Sequence, residues 1–337
     1  MRGCLGHLPT RRGLAVVVVV MLIGAGLLAL LPAESSHAAP RAAAVARARE
    51  RAAPTRFSIV RPAATAVPVP HDPFKTAALR RFLRSRSGNV TAGVYDVNAN
   101  ATFLYHPGER EQTASIVKVD ILATLLAQEQ AEHEPPSGDD DGVATEMIEE
   151  SDNDDAQALF NEEGGATALA AFDRRVGMTQ TTPAWAWGLT ETDPRDQLRL
   201  LRHIALPNRV LRYEYRDAEL FLMEHVISED YWGITTGPSP GVTVAVKNGW
   251  LPVADGWQIN RIGMVRGHHR FYLIAVMTNG NATEGYGIDT IEGISALIYA
   301  DLRQRPAPPA GPTGPSGVSG PSGVSGSTGA SSSAGAG

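Results

Sequence analysis

Apolar residues divide the chain into a leading hydrophobic run, a polar stretch, a patterned body and a polar tail. Within the body, Ile116, Val119, Leu122, Ala123 and Leu126 recur at spacings of three and four, which predicts a helix from Ser115 to Gln130. Upstream, Asp72-Pro73 has the form of an N-cap and first helical position, predicting a helix to about Arg86 that Gly88-Asn89 ends. Two β-runs follow, Val90 to Val97 and Thr102 to Tyr105, with Asn98-Ala99-Asn100 as their turn. From Ser115 to about Val226 the pattern is helical and broken by loops. Three further β-runs, Val242 to Lys247, Gln258 to Val265 and Arg270 to Met277, precede a turn at Asn279-Gly280-Asn281 and a last helix from Thr290 to Leu302. This order predicts an α/β fold: an antiparallel five-stranded sheet flanked by helices, with an inserted all-helical region between its two chain segments.

The flanks carry a different message. Arg11-Arg12 precedes an apolar run from Leu14 to Leu31 that Pro32 closes. Residues 1–38 are either a secretory signal with Ser36-His37-Ala38 as its cleavage site, or a membrane anchor through residues 14–31. Both readings make the body extracytoplasmic, secreted or anchored through its N-terminus. Residues 39–71 are rich in Ala, Arg and Pro and read as a linker; 72–303 hold the patterned domain. Residues 304–337 collapse to Gly, Pro, Ser and Ala. Glycine recurs at every third position from Gly311 to Gly329, but so short a series with little proline in the third position reads as a flexible tail rather than a collagen-like stalk. Residues 1–86 hold 14 Lys or Arg against 3 Asp or Glu, and the remainder 16 against 33, so the body is acidic and nucleic acid is not its partner. The single cysteine, Cys4, allows no intramolecular disulfide.

Lysine usage singles out the chemistry. The chain has 3 lysines, Lys75, Lys118 and Lys247, and its other 27 basic residues are arginines. An amine that must release a proton cannot be replaced by a guanidinium. In Ser115-Ile116-Val117-Lys118 the serine and lysine share one helix face, which lets an amine activate a hydroxyl nucleophile without histidine. Ser151-Asp152-Asn153 follows a short helical run, Val143 to Glu150, and Lys247-Asn248-Gly249 ends a β-run before Trp250. Together they supply a nucleophile (Ser115), a base (Lys118), a second hydroxyl to pass a proton to a leaving nitrogen (Ser151) and a cation for an anionic group (Lys247). Gly249 would let a substrate backbone lie close to the strand edge.

This ordered set resembles the serine β-lactamase and penicillin-binding protein superfamily, with its Ser-x-x-Lys, Ser-Asp-Asn and Lys-Thr-Gly motifs. The resemblance runs from about Asp72 to Arg303 and is nearest the class A β-lactamases and related exported serine hydrolases. It implies that Ser115 is acylated with Lys118 as base, that Ser151 relays a proton, and that Asn153 binds the substrate's side-chain amide. Lys247 would bind or orient its carboxylate, Asn248 replaces the family's usual hydroxyl there, and the backbone N–H groups of Ser115 and Trp250 would form the oxyanion hole. The implied function is an exported serine acyl hydrolase of the class A type, acting on a β-lactam or a peptidoglycan stem peptide as a monomer without metal or cofactor. Two alternatives stand beside it. One is a D,D-peptidase or slow penicillin-binding enzyme that deacylates poorly; the other is a non-catalytic peptidoglycan-binding module on the same fold.

Departures from the family pattern matter. Class A enzymes activate the deacylating water with a glutamate on an Ω-loop, yet Thr179-Gln180-Thr181-Thr182-Pro183-Ala184-Trp185-Ala186 contains no acid. Glu191 is the nearest candidate, in a stretch that reads as the approach to the next helix. Arg261 could help hold a carboxylate, though by itself it reads as a surface arginine. Trp185 and Trp187 read as aromatic packing under the loop. Asp139-Asp140-Asp141-Gly142 lacks the terminal glutamate of a calcium loop and reads as solvated. Gly237-Pro238-Ser239-Pro240-Gly241 matches a nucleophile elbow in letters only, since Pro240 has no N–H for an oxyanion.

Overall fold

The computed structural model describes residues 70–137 and 142–303. The leader, nearly all of the linker, the Asp139-Asp140-Asp141 loop and the tail lie outside the described residues. Helix α1, Ala77–Arg84, follows a 3-10 turn at Pro73–Lys75, and Thr76 accepts a capping bond from Leu79 N. Strands β1, Asn89–Asp96, and β2, Ala101–Tyr105, form a hairpin. After the two-residue strand β3, Glu111–Gln112, a 3-10 turn at Ala114–Ile116 leads into α2, Val117–Glu132. The helical region continues with α3, Gly142–Thr145, a π-helical turn at Glu146–Glu150, α4, Asn153–Glu162, and α5, Gly165–Val176. Strand β4, Glu191–Thr192, pairs with β3 ahead of α6, Pro194–Ala205, and α7, Tyr213–Glu224. Strands β5, Thr243–Val253, β6, Gly256–Gly267, and β7, Arg270–Asn281, then lead to α8, Glu284–Arg303. Among the described residues, no helix is long and apolar enough to cross a membrane.

The main sheet is antiparallel, in the order β2-β1-β7-β6-β5, so its five strands match the expected architecture and β5 is an edge. Strand periodicity builds two cores, because successive side chains face opposite ways. On β7, Leu273, Ala275 and Met277 join the helical region, while Tyr272, Ile274 and Val276 join α1 and α8. On β5, Ala245 faces the helical region, and Val244 and Val246 face α8. The same alternation puts Lys247 and Gly249 toward the helical region, and Asn248 and Trp250 toward α8.

Several boundaries differ from expectation. Lys247-Asn248-Gly249 lies in the middle of β5, which runs on to Val253; Pro252 is tolerated because the strand is an edge. Asn279-Gly280-Asn281 does not end β7. Pairing of Asn279 with Asn89 and of Asn281 with Trp257 overrides its turn-like composition. The last helix begins six residues before Thr290, at Glu284.

Candidate active site

Ser115 sits in the 3-10 turn, directly after an alanine in left-handed conformation, φ +47 at Ala114. Such a backbone costs a non-glycine residue about 1–3 kcal/mol and persists only where its surroundings enforce it. Here they do. Thr113 N donates to Thr190 O at 2.8 Å, and Asn260 Nδ2 donates to Gln112 O at 2.8 Å and Thr113 O at 2.9 Å. From the other side, the turn rests on Gly249: a Cβ at that position would lie 2.7 Å from Ser115 N and 2.9 Å from Thr113 O. The close approach that Gly249 permits is therefore made by the protein's own nucleophile turn. Asn260 pairs with Gly249 across β5 and β6, so strand register, invisible in the sequence, assembles this support.

Lys118 follows one turn later and is fully buried. Its Nζ donates to Ser151 O at 2.5 Å, Ser151 Oγ at 3.2 Å and Asn153 Oδ1 at 2.8 Å, and lies 5.2 Å from the centre of the Trp187 ring. Ser151 takes a left-handed conformation, φ 62, at the end of the π-helical turn, and Asp152 then caps α4 by accepting from Asp154 N and Asp155 N. The turn thus aims Ser151 and Asn153 back at α2. Burial pulls the Lys118 amine down to about 8, against the charges of Asp152, Asp230 and Asp155, which favour the ammonium. An amine so placed exchanges a proton near neutral pH.

Lys247 is also fully buried and donates to Asn248 Oδ1 at 3.3 Å. Burial first, then the charges of Lys118 and Arg261, push it well below the ordinary lysine range, while Asp230 opposes them. Arg261 lies opposite Asn248 on β6. It is not a surface residue: its exposure is 0%. The edge strand and the loop after α7 enclose it, and Nη1 donates to Asp230 O at 2.5 Å.

An open cleft of about 390 Å³ is lined by Ala114, Ser115, Asn153, Gln157, Trp187 and Trp250, together with Ala186, Gly188, Leu189 and Leu251. Ser115, Asn153 and Trp250 therefore meet in one space, with Lys118 and Ser151 joined behind its wall. Trp187 packs against the core of the helical region, as expected, and also lines the cleft. Trp185 is 71% exposed, its ring set edge-on to Phe160. Gln157 lies four residues after Asn153 on α4, a spacing that could have nominated it. None of these lining residues is acidic. Glu191 is exposed on β4 and pairs with Arg110 Nη2 at 2.9 Å, away from the cleft lining.

Comparisons with known proteins bear on the fold. The profile of the beta-lactamase enzyme family matches residues 141–302. A class A β-lactamase from Bacteroides cellulosilyticus superposes with a TM-score of 0.61 at 17% identity, covering 70% of this chain and 100% of that one. PBP-A superposes with a TM-score of 0.58 at 21% identity, covering 67% and 96%. A PBP-A mutant solved as its acyl-enzyme complex with penicillin G gives 0.59 at 19% identity, covering 67% and 94%. No curated protein sequence matches the chain. The fold is that of the serine β-lactamase and penicillin-binding protein superfamily. Along this chain Ser115-Ile116-Val117-Lys118 precedes Ser151-Asp152-Asn153 and then Lys247-Asn248-Gly249, and the Lys118 amine is bonded to the Ser151 and Asn153 turn.

Proposed function

We propose that the chain is an exported serine acyl hydrolase, acylated at Ser115 by β-lactams or D-Ala-D-Ala-like peptides. The observation that carries this reading is the buried Lys118, its proton affinity lowered to about 8, held 3.2 Å from Ser151 Oγ beside the cleft that Ser115 lines. In the acylation step, neutral Lys118 accepts the Ser115 proton as Oγ attacks the carbonyl carbon. The oxyanion is held by the N–H groups of Ser115 and Trp250. The amide C–N bond then breaks, Ser151 gives its proton to the leaving nitrogen, and the Lys118 ammonium restores it. The product is an ester at Ser115. Export rests on the apolar run from Leu14 to Leu31.

The absence of a carboxylate from the lining residues favours slow release of the acyl group, because no carboxylate base stands in the cleft to activate water. The enzyme is on this reading a penicillin binder rather than an efficient β-lactamase. Nitrocefin turnover measured together with intact mass separates the cases. Stoichiometric adduct with negligible turnover is expected. Rapid turnover would assign the alternative of an efficient class A hydrolase, and absence of both would overturn acylation altogether.

A further inference from the structure

Lys118 is fully buried, yet Ser115, one turn before it, opens on the cleft. Two of the lining residues stand beside the amine: Asn153, whose Oδ1 accepts from Nζ, and Trp187, whose ring centre lies 5.2 Å from it. The remaining contacts of Nζ, with Ser151 O and Ser151 Oγ, come from the turn before α4. Charges act on the amine through space: Asp152 and Asp155 at the start of α4, Asp230 in the loop after α7, and Lys247 on β5. An indole rather than a carboxylate completes the surroundings of Nζ.

The backbone holds the ring in place. Trp187 O accepts from Thr190 N at 3.0 Å, and the fully buried Thr190 is tied on both sides. Its carbonyl accepts from Thr113 N at 2.8 Å and its Oγ1 from Ala184 N at 3.0 Å. Gly188 lies against the nucleophile turn, where a Cβ would stand 3.9 Å from Ala114 Cα. The segment that carries the ring is therefore fastened to the segment that carries Ser115.

A ring in this position acts on an amine in two opposed ways. Its face attracts the ammonium, by about ten-fold in the protonation equilibrium. Its bulk keeps water away, and full burial disfavours an ammonium by about 10³-fold or more. Exclusion of water wins here, because burial is the largest influence on Lys118 and outweighs Asp152, Asp230 and Asp155 together.

We propose that Trp187 is a positioning residue that keeps water from Lys118 and so holds the amine ready to take the Ser115 proton. This rests on the acyl hydrolase reading for the use made of the amine, but not for its protonation. A smaller residue at 187 lets water reach Nζ, favours the ammonium and deprives Ser115 of its base at neutral pH.

Two measurements test this, and the scarcity of lysine makes the first direct. In the full chain labelled with 13C-lysine, an NMR titration follows 3 lysine signals, that of Lys118 being assigned by its loss in Lys118→Arg. Trp187→Ala is expected to raise the Lys118 midpoint by about one pH unit, toward the ordinary lysine range. Trp187→Phe keeps an apolar cover while weakening the attraction for the ammonium, and should leave the midpoint in place. An unchanged midpoint in Trp187→Ala, or a lower one in either variant, would overturn the proposal. Should Trp187→Ala not fold, the Phe variant still decides, because weakening a merely attractive ring lowers the midpoint. The second measurement follows acylation by benzylpenicillin against pH. Trp187→Ala should be about ten-fold slower than the parent at pH 7, with the deficit closing by about pH 10, where the amine is neutral in both. An equal deficit at every pH would mark a displaced wall and contradict the proposal. A raised midpoint in a protein that forms no adduct sinks the acylation reading alone; an adduct with an unmoved Lys118 midpoint sinks this inference alone.

Discussion

Two sets of ionisable groups are buried in this molecule, one cationic and one acidic. Lys118, Lys247 and Arg261 are buried along β5 and the cleft; Asp120, Glu163, Asp173 and Glu219 are buried within the helical region, on α2, at the end of α4, on α5 and on α7. The acids have an easy escape, because a carboxyl group in a dry site takes up a proton. Burial, reinforced by Asp173, pushes Glu163 up to about 9, and burial alone raises Glu219 well above the carboxylate range. Burial first, then the charge of Asp173, raises Asp120 well above the carboxylate range, and burial pushes Asp173 up to about 7. Among the described residues, no such group is arranged to hold a metal ion. The arginine has no comparable escape: even drawn down to about 9, it stays charged at neutral pH. Burial therefore drives the carboxyls and the two lysines alike toward their neutral forms and leaves the guanidinium as the charge that persists. The acids govern stability and the lysines govern chemistry.

The contrast is broken most severely at Lys118. Lys118→Arg keeps a cation but removes the base, and acylation by benzylpenicillin is expected to slow by about 10³-fold or more, read by stopped-flow. Retention of half the rate would show that some other group takes the Ser115 proton.

The acidic set predicts the next effect, and its sign is definite. These carboxyls have folded-state values above their unfolded ones, so their stability is complete below about pH 4 and is lost as pH rises through about 9. Urea unfolding of the wild type should show a loss of several kcal/mol between pH 5 and pH 9. Glu163→Gln cannot ionise and should flatten part of that slope. An unchanged slope would mean that Glu163 carries no raised value.

Gly249→Ala leaves every charge in place and disturbs only the nucleophile turn. Displacement of Ser115 should cost about 10²-fold in acylation rate, with about 1–3 kcal/mol of stability. Wild-type kinetics would show the turn to be more yielding than its 2.7 Å approach implies.

The smallest effect sharpens the electrostatics. Wild-type acylation should rise with pH through about 8, as Lys118 loses its proton. Asp152→Asn preserves the α4 cap while removing the charge that most favours the ammonium, so the midpoint should move to lower pH. A shift upward would reverse the assigned cause.

How much of this was legible beforehand follows the same division. The succession of strands and helices along the chain could be read because periodicity is a local property, and local motif spacing singled out Ser115, Lys118, Ser151 and Lys247. The rarity of lysine gave them chemical weight. Arg261, Asn260 and the buried acids could not be read, because their environments depend on which strands and helices meet. Helix α2 illustrates the point: apolar spacing predicts one buried stripe, yet nearly the whole helix is enclosed, Asp120 included. Composition indicates that Trp187 packs, but not that the fold also brings its ring beside Lys118. The extent of β5 was missed because Asn248-Gly249 is turn-like in composition, whereas the glycine serves close packing inside a strand.

Intact-mass spectrometry of the protein mixed with benzylpenicillin, followed over time and mapped by peptide, tests the central claim most directly. The account predicts one adduct per chain, on the peptide containing Ser115, forming faster at pH 9 than at pH 6 and persisting long after free drug is removed. An adduct on another residue, or none in wild type under either condition, would contradict it.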